Sequence, residues 1–336
     1  MSAVSKILAA LLVSIFIVRD LAADDMQIAV SIRYLQIKGT SHAHIYLYTG
    51  DGKLIRQLTR DQTGQDVDPV FAPEGREIVF TRKAKTGDQT WSVTTLGTGA
   101  HRVSAVPAWY QNKTEDTPRF TFLSMEWEHW YKNLPEDGAS PSPSPTSTPR
   151  PFKLVAPDGS VELILNSTGD NQKDYEEEQR GKLYRLRDLK SGEESLIGDW
   201  PGFETIWDPL HLRKEENSYF LIQPPLRTIF FFRHLNSTDG DTVYALDLNQ
   251  KHVVRLSPNY ATPIPVSGEP IFFTVAEERY LPLGDGKRTV NCSYLDRWDA
   301  DFRKIRYARS SPAIFGGASV FRSGKLPLTI PANISQ

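Results

Sequence analysis

The chain has 336 residues, enough for one large or two ordinary domains, with 39% hydrophobic, 11% aromatic and 24% charged residues. That balance excludes a disordered chain, and a net charge of −2 gives no broad electrostatic case for nucleic acid. A single cysteine, Cys292, excludes an internal disulfide and reads as a small buried apolar side chain rather than a nucleophile.

The first 23 residues read as a signal peptide. Lys6 supplies the positive start, Ile7–Val18 is an apolar run interrupted only by Ser14, and Leu21-Ala22-Ala23 ends in the small residues a signal peptidase accepts. The run is short for a membrane span, and Arg19 and Asp20 lie between it and the cleavage point. Cleavage after Ala23 is expected, with a retained anchor as the alternative. Export without disulfides suits a bacterial periplasm or secretion from the cell. The sequons at Asn112, Asn166, Asn236, Asn291 and Asn333 would matter only in a eukaryotic secretory pathway. No membrane-spanning segment, coiled coil or long amphipathic helix is expected in the mature chain.

From Gln27 onward the pattern is short alternating runs separated by Asp, Gly and Pro. Gln27–Ile37, His44–Thr49 and Lys53–Thr59 form one group, the last two joined by Gly50-Asp51-Gly52. A second group follows Asp68-Pro69: a strand to Ala72, the turn Pro73-Glu74-Gly75, then Glu77–Arg82, Thr90–Leu96 and Ala100–Ala105. A third comprises Phe152–Val155, Val161–Leu165, Lys182–Leu189 and Glu193–Ile197. A fourth is read as Glu204–Trp207, Tyr219–Ile222, Thr242–Leu248 and His252–Leu256, with Pro224–Leu235 as an inserted apolar ribbon in which Phe230-Phe231-Phe232 reads as buried strand. A fifth runs Glu269–Thr274, Arg279–Leu283, Thr289–Leu295 and Phe302–Tyr307. Ser311–Phe315 has the register of a first strand, and the opening group lacks one. The expected fold is therefore all-β: a single β-propeller of five or six four-stranded blades over residues 24–336, its ring closed by strands from both termini. Residues 107–137 are a degenerate sixth blade or an inter-blade hairpin, and residues 138–151 are a Pro/Ser-rich polyproline-like loop.

The residues Tyr46, Gly50-Asp51-Gly52, Leu58-Thr59, Asp68-Pro69, Phe71, Pro73, Gly75, Ile78 and Phe80 carry a resemblance to the repeats of TolB-like β-propellers, the WD40-like or PD40 repeats. The resemblance covers one repeat well and the phrase around Ala156–Leu165 in part. It implies that these residues build blades: glycines for tight turns, Asp68 accepting backbone hydrogen bonds beside Pro69, Phe71 and Ile78 facing the neighbouring blade. Asp68-Pro69 then reads as the joint between blades. A weaker echo lies in Met125–Asn133, which looks like the aromatic His-Trp segment in propellers of prolyl-oligopeptidase-type peptidases. Their hydrolase domain needs a Gly-x-Ser-x-Gly elbow, and Gly317-Ala318-Ser319-Val320-Phe321 lacks the closing glycine.

Candidate chemistry is sparse. Asp68, Asp208 and Glu269 sit near the starts of innermost strands and are weak catalytic candidates for glycoside hydrolysis, which needs two desolvated carboxylates within about 5–10 Å. The plainer reading makes Asp68 and Asp208, each before proline, turn residues. His42-x-His44 could face one side and hold a metal; none of the seven histidines makes a His-x-x-x-His pattern. Trp127, Glu128, His129 and Trp130 are either a contact surface for a partner or a packed hairpin. Glu176-Glu177-Glu178 reads as a solvated loop. The expected function is that of an exported, monomeric, non-catalytic propeller that binds a protein, peptide or glycan without a cofactor. The alternative is a propeller hydrolase or lyase acting on glycans or peptides through axial carboxylates or a metal.

Overall fold

A computed structural model describes residues 26–111, 152–155, 159–165, 184–202, 220–222, 228–233, 242–257, 263–266, 268–283, 288–308 and 312–332. These residues build five antiparallel sheets and one four-residue helix, α1 (Ala108–Gln111). The signal segment, Trp127–Trp130, Asp208, Glu204–Trp207, Glu176–Glu178 and the Pro/Ser tract lie outside the described residues. Among the described residues no helix is long and apolar enough to cross a membrane.

Sheet 1 contains β1 (Gln27–Tyr34), β2 (Ala43–Thr49) and β3 (Leu54–Gln57) from the start of the chain, with β20 (Ala313–Phe321) and β21 (Leu328–Ile330) from its end. Their order is β21-β20-β1-β2-β3. The two ends of the chain therefore meet in one sheet, with Gln27 opposite Phe321 and Tyr34 opposite Ala313. The expected partner strand Ser311–Phe315 is longer than the sequence suggested and begins at Ala313. It is also followed by one more strand.

Sheet 2 is β4 (Gly64–Phe71), β5 (Glu77–Ala84), β6 (Gly87–Thr94) and β7 (His101–Arg102), in that order. Sheet 3 is β8 (Phe152–Val155), β9 (Val161–Leu165), β10 (Tyr184–Asp188) and β11 (Glu194–Leu196). Sheet 4 is β12 (Phe220–Ile222), β13 (Thr228–Arg233), β14 (Thr242–Asp247) and β15 (His252–Ser257). Here the apolar ribbon is no insertion: β13 is the second strand, paired with β12 and β14. Pro224 and Pro225 mimic a break in the pattern, but they fall in the β12–β13 connection. Sheet 5 is β16 (Ile264–Pro265), β17 (Ile271–Pro282), β18 (Thr289–Asp299) and β19 (Lys304–Arg306). The two runs read as separate strands, Glu269–Thr274 and Arg279–Leu283, are one strand, β17. The charged pair Glu277-Glu278, between the two runs, lies within it.

The chain divides into two compact units. One gathers sheets 1 and 2 and nearly all of sheet 5, and the other holds sheets 3 and 4. In the first unit, sheet 1 meets a different neighbour on each face, as period-2 alternation dictates. Ile45 and Leu47 of β2 point to sheet 2 and cluster with Ala29, Leu58, Phe71, Ile78, Phe80 and Val93. Phe71 and Ile78 thus do what the repeat resemblance implied. Each buried Val, Leu, Ile or Phe side chain among them contributes about 1.5–3 kcal/mol. Tyr48, on the opposite face of β2, meets Tyr307 edge-on at 5.5 Å. On that side Arg297 and the Tyr307 hydroxyl both donate to the Gly50 carbonyl, each at 2.9 Å. Burial raises the Tyr307 phenol well above its ordinary pKa.

Tight turns serve as joints between sheets. Gly75, at φ +68°, sits where a Cβ would enter the Phe321 ring, so the β4–β5 turn packs directly on β20. Gly52 of the β2–β3 turn would place a Cβ 2.5 Å from Ile305 Cγ2 of sheet 5. In the second unit, Gly202, just past β11, abuts the backbone of Val253 in β15.

Candidate functional site

Three of the polar side chains singled out in the sequence, Asp68, His42 and His44, lie on or beside β4, where sheets 1 and 2 meet. β4 is not regular. Val67 stands opposite Thr81 and Val70 opposite Val79, so Asp68 and Pro69 together face one residue of β5. This is a β-bulge, and it explains how a proline is tolerated inside a strand. It also corrects the sequence reading: Asp68-Pro69 lies within the first strand of sheet 2, not between sheets. Asp68 carries φ +52°, a conformation that costs a non-glycine residue of order 1–3 kcal/mol.

A matching bulge faces it. Between Val30 and Ile32 the β1–β20 register slips, leaving Gly316 and Gly317 opposite Ser31. A Cβ at Gly317, whose φ is +99°, would lie 3.0 Å from Asp68 Oδ1 and 3.1 Å from its Cα. No side chain larger than hydrogen fits. Ser31 completes the joint by donating from Oγ to the Asp66 carbonyl at 2.7 Å, and the Phe71 amide donates to Ser319 Oγ at 3.1 Å. The Asp68 carboxylate accepts no hydrogen bond and meets no cation among the described residues. Its carbonyl oxygen lies 3.4 Å from the Tyr110 hydroxyl. Tyr110, brought by α1 onto Val70 and Val79, also shares a 2.9 Å hydrogen bond with Thr81. Burial pushes its phenol up to about 12, against the opposing pull of that bond to Thr81.

Two residues before the bulge the chemistry is settled internally. Asp66, 1% exposed, receives Arg82 Nε at 2.6 Å and Nη2 at 3.0 Å, while Nη1 reaches Asp61 at 2.8 Å. The guanidinium also lies over Trp91, 4.2 Å from the ring centroid. Burial works against the Arg82 charge, but the hydrogen-bonded Asp66 and the nearby Asp61 outweigh it and raise the arginine's pKa. Sheet 5 repeats the device: Arg306 grips the fully buried Asp296 at 2.8 and 2.9 Å, bonds Glu278, and covers Tyr294 at 4.2 Å. A bidentate pair of this kind is strong and directional. It commits both oxygens of each carboxylate to one arginine.

The histidine pair approaches the same region without forming a site. His42 Nδ1 bonds the Gly64 carbonyl at 3.0 Å, tying the start of β2 to the start of β4. His44 Nδ1 is buried with no hydrogen-bond partner among the described residues. Burial lowers the His44 pKa first of all. Asp66 and Asp61 pull it up, and His42 and Arg82 push it down. Among the described residues, no three His, Cys, Asp or Glu side chains group as a metal ion requires. Glu269 lies partly exposed in the turn before β17, in the other compact unit from Asp68. Sequence reasoning missed Arg82, Tyr110, Ser31 and the Gly316-Gly317 bulge. The signal for Arg82 was present: counted outward from Pro73-Glu74-Gly75, with one residue added for the bulge, Asp66 falls opposite it. Cys292 is buried, as its type suggested.

No family model matches the chain, and no curated protein matches its sequence. Solved structures similar to it include the AtxE2 isopeptidase with astexin3-dC4 bound, at 12% identity and TM-score 0.25, over 92% of this chain and 50% of that one. A prolyl endopeptidase is similar at 10% identity and TM-score 0.28, over 86% and 39%. An oligogalacturonate lyase from Vibrio parahaemolyticus is similar at 8% identity and TM-score 0.25, over 90% of both chains. The chain spans half or less of the length of the two peptidases. At such identities and scores these likenesses assign neither a family nor an activity.

Proposed function

We propose that the protein is an exported, non-catalytic binding protein, built as a single β-propeller, that engages a protein, peptide or glycan partner. The observation that carries this reading is the state of its buried carboxylates. Asp66 is held by Arg82 and Asp296 by Arg306, each through two hydrogen bonds. A general acid or base must present a carboxyl oxygen to its substrate, and here both oxygens of each carboxylate are engaged by an arginine. Ring closure is supported by sheet 1, which uses both chain ends and packs on sheet 2 with one face and on sheet 5 with the other. First and last sheets of a closed ring must be neighbours in this way. Export rests on the first 23 residues, and the contact surface proposed is Trp127, Glu128, His129 and Trp130.

The test is a pull-down with the mature protein from the producing cell's envelope extract, beside a Trp127→Ala, Trp130→Ala double variant. The reading predicts one enriched partner with the parent and its loss with the variant. Cleavage of oligogalacturonides or peptides by the purified parent, abolished by Asp68→Asn, would replace it with the hydrolase or lyase alternative.

A further inference from the structure

Among the described residues, Asp68, Lys251, Tyr280 and Phe302 hold a positive φ without being glycine. Asp68 sits in the β4 bulge, and Lys251 and Phe302 lie in the connections from β14 to β15 and from β18 to β19. Tyr280 is different. It lies inside β17 at φ +58°, a conformation that bulky residues rarely adopt. Burial does not offset the strain, because the residue is 70% exposed. A side chain that is unfavourable in both backbone and exposure points to a role outside stability.

Asn291 holds this backbone in place. The Tyr280 amide donates to Asn291 Oδ1 at 3.4 Å, from β17 to β18. With Oδ1 so used, the exposed Asn291 presents the two N–H donors of its amide in a fixed plane beside Tyr280. Thr289 shares the Asn291 face of β18 and is exposed as well. The hairpin is fastened to sheet 1 on either side of Asn291. At its outer end Arg288 Nη2 donates to the Ile37 carbonyl at 2.6 Å, and further in the Phe315 amide donates to Ser293 Oγ at 3.0 Å. All of these residues belong to one compact unit. The exposed ring and amide therefore stand on a rigid base.

We propose that Tyr280 and Asn291 form a platform for an oligosaccharide, the Tyr280 ring stacking on the C–H face of one pyranose and the Asn291 amide and Thr289 hydroxyl bonding its hydroxyls. This deepens the binding reading above, on which it rests, and names a glycan as the ligand. A pyranose with equatorial hydroxyls is amphipathic in the matching way: a flat C–H face meets the ring, and a rim of oxygens meets the donors. A docking protein buries about 800 Å² on each side around an apolar centre. Here a single exposed ring stands among an amide, a hydroxyl and the Arg288 guanidinium.

The experiment is isothermal titration of the full mature chain with cellohexaose and with hexa-N-acetylchitohexaose, both built from pyranoses with equatorial hydroxyls. The parent is expected to bind at least one of them with a Kd of about 1 mM or lower. Tyr280→Phe keeps the ring and is expected to bind within about twofold of the parent. Tyr280→Gly removes the ring and adopts φ +58° without strain. It is expected to bind at least about fivefold more weakly, with a thermal midpoint equal to the parent's or higher, a combination that a merely structural tyrosine would not give. Asn291→Asp keeps the acceptor for the Tyr280 amide but removes the donors, and is expected to weaken binding at least about threefold. Equal binding by the parent and Tyr280→Gly overturns the site, as does failure of the parent to bind either probe. Binding kept by Tyr280→Gly but lost in the Trp127→Ala, Trp130→Ala variant places the sugar on that other surface and also overturns it. A partner captured in the envelope pull-down while neither probe binds removes the platform but leaves the binding reading standing. Capture of nothing, with neither probe bound, removes both.

Discussion

Asp66 and Arg82 stand directly opposite each other on β4 and β5 and join through two hydrogen bonds, of 2.6 and 3.0 Å, with only 1% and 4% of their surfaces open to solvent. Breaking such a pair leaves an uncompensated buried charge, which costs about 3–5 kcal/mol, whereas replacing both members by apolar residues is often neutral. Arg82→Met alone is therefore expected to lower unfolding free energy by about 3 kcal/mol or more in urea titrations. Arg82→Met with Asp66→Leu is expected to recover most of it. Additive losses in that cycle would mean the two residues act separately.

The facing bulges give a test in which one substitution stabilises and its neighbour destabilises. Asp68 holds φ +52°, so Asp68→Gly relieves strain and is expected to change stability by no more than about 1 kcal/mol, on the stabilising side. Gly317→Ala must fit a Cβ 3.0 Å from Asp68 Oδ1 at φ +99°. It is expected to cost about 2 kcal/mol or more. Thermal unfolding of the two variants side by side separates them. A destabilised Asp68→Gly would show that the aspartate side chain itself holds the joint.

His44 sets an acid-side dependence. Its pKa in the folded chain lies below the ordinary 6.5, chiefly because of burial. Above about 6.5 it is neutral in both states and stability is unaffected. As pH falls below that value the unfolded chain takes the proton first, so stability is lost until the folded-state pKa is passed. Asp66 and Asp61 moderate the shift, and His42 and Arg82 add to it. His44→Gln is expected to flatten the fall of the urea midpoint as pH drops below about 6.5 relative to the parent. Parallel curves for the two proteins across that window would contradict it.

What the sequence revealed, and what it hid, follows from the range of the forces involved. The strands of sheet 2 were legible because Ile78-Val79-Phe80 and Val93 are apolar runs between polar residues and Pro73-Glu74-Gly75 fixes the hairpin. The pairing of the two chain ends was legible as an unmatched strand at each end. β21 was not: three residues between prolines carry no periodicity, and their burial depends on an edge that exists only after folding. The long β17 was read as two runs because Glu277-Glu278 interrupts the apolar pattern, and the exposure of Glu277 depends on how far the hairpin extends. Of the site, Asp68 and His44 were visible as residue types. The bulge that strains Asp68 and the glycine that faces it come from opposite ends of the sequence, so no local pattern joins them.

The account depends most on β1 and β20 pairing in one sheet, since closure of the ring follows from it. Successive cross-strand pairs alternate between two hydrogen-bonding classes, so two cysteine pairs, Arg33→Cys with Ile314→Cys and Tyr34→Cys with Ala313→Cys, together sample both. Buried Cys292 stays out of the reaction. The decisive measurement is the thermal midpoint of each oxidised variant against its reduced form, with the disulfide mapped by mass spectrometry. At least one pair is expected to close within a single chain under air and to stabilise it by up to about 5 kcal/mol, as a very long loop allows. Free thiols in both folded variants, or disulfides formed only between molecules, would contradict the account.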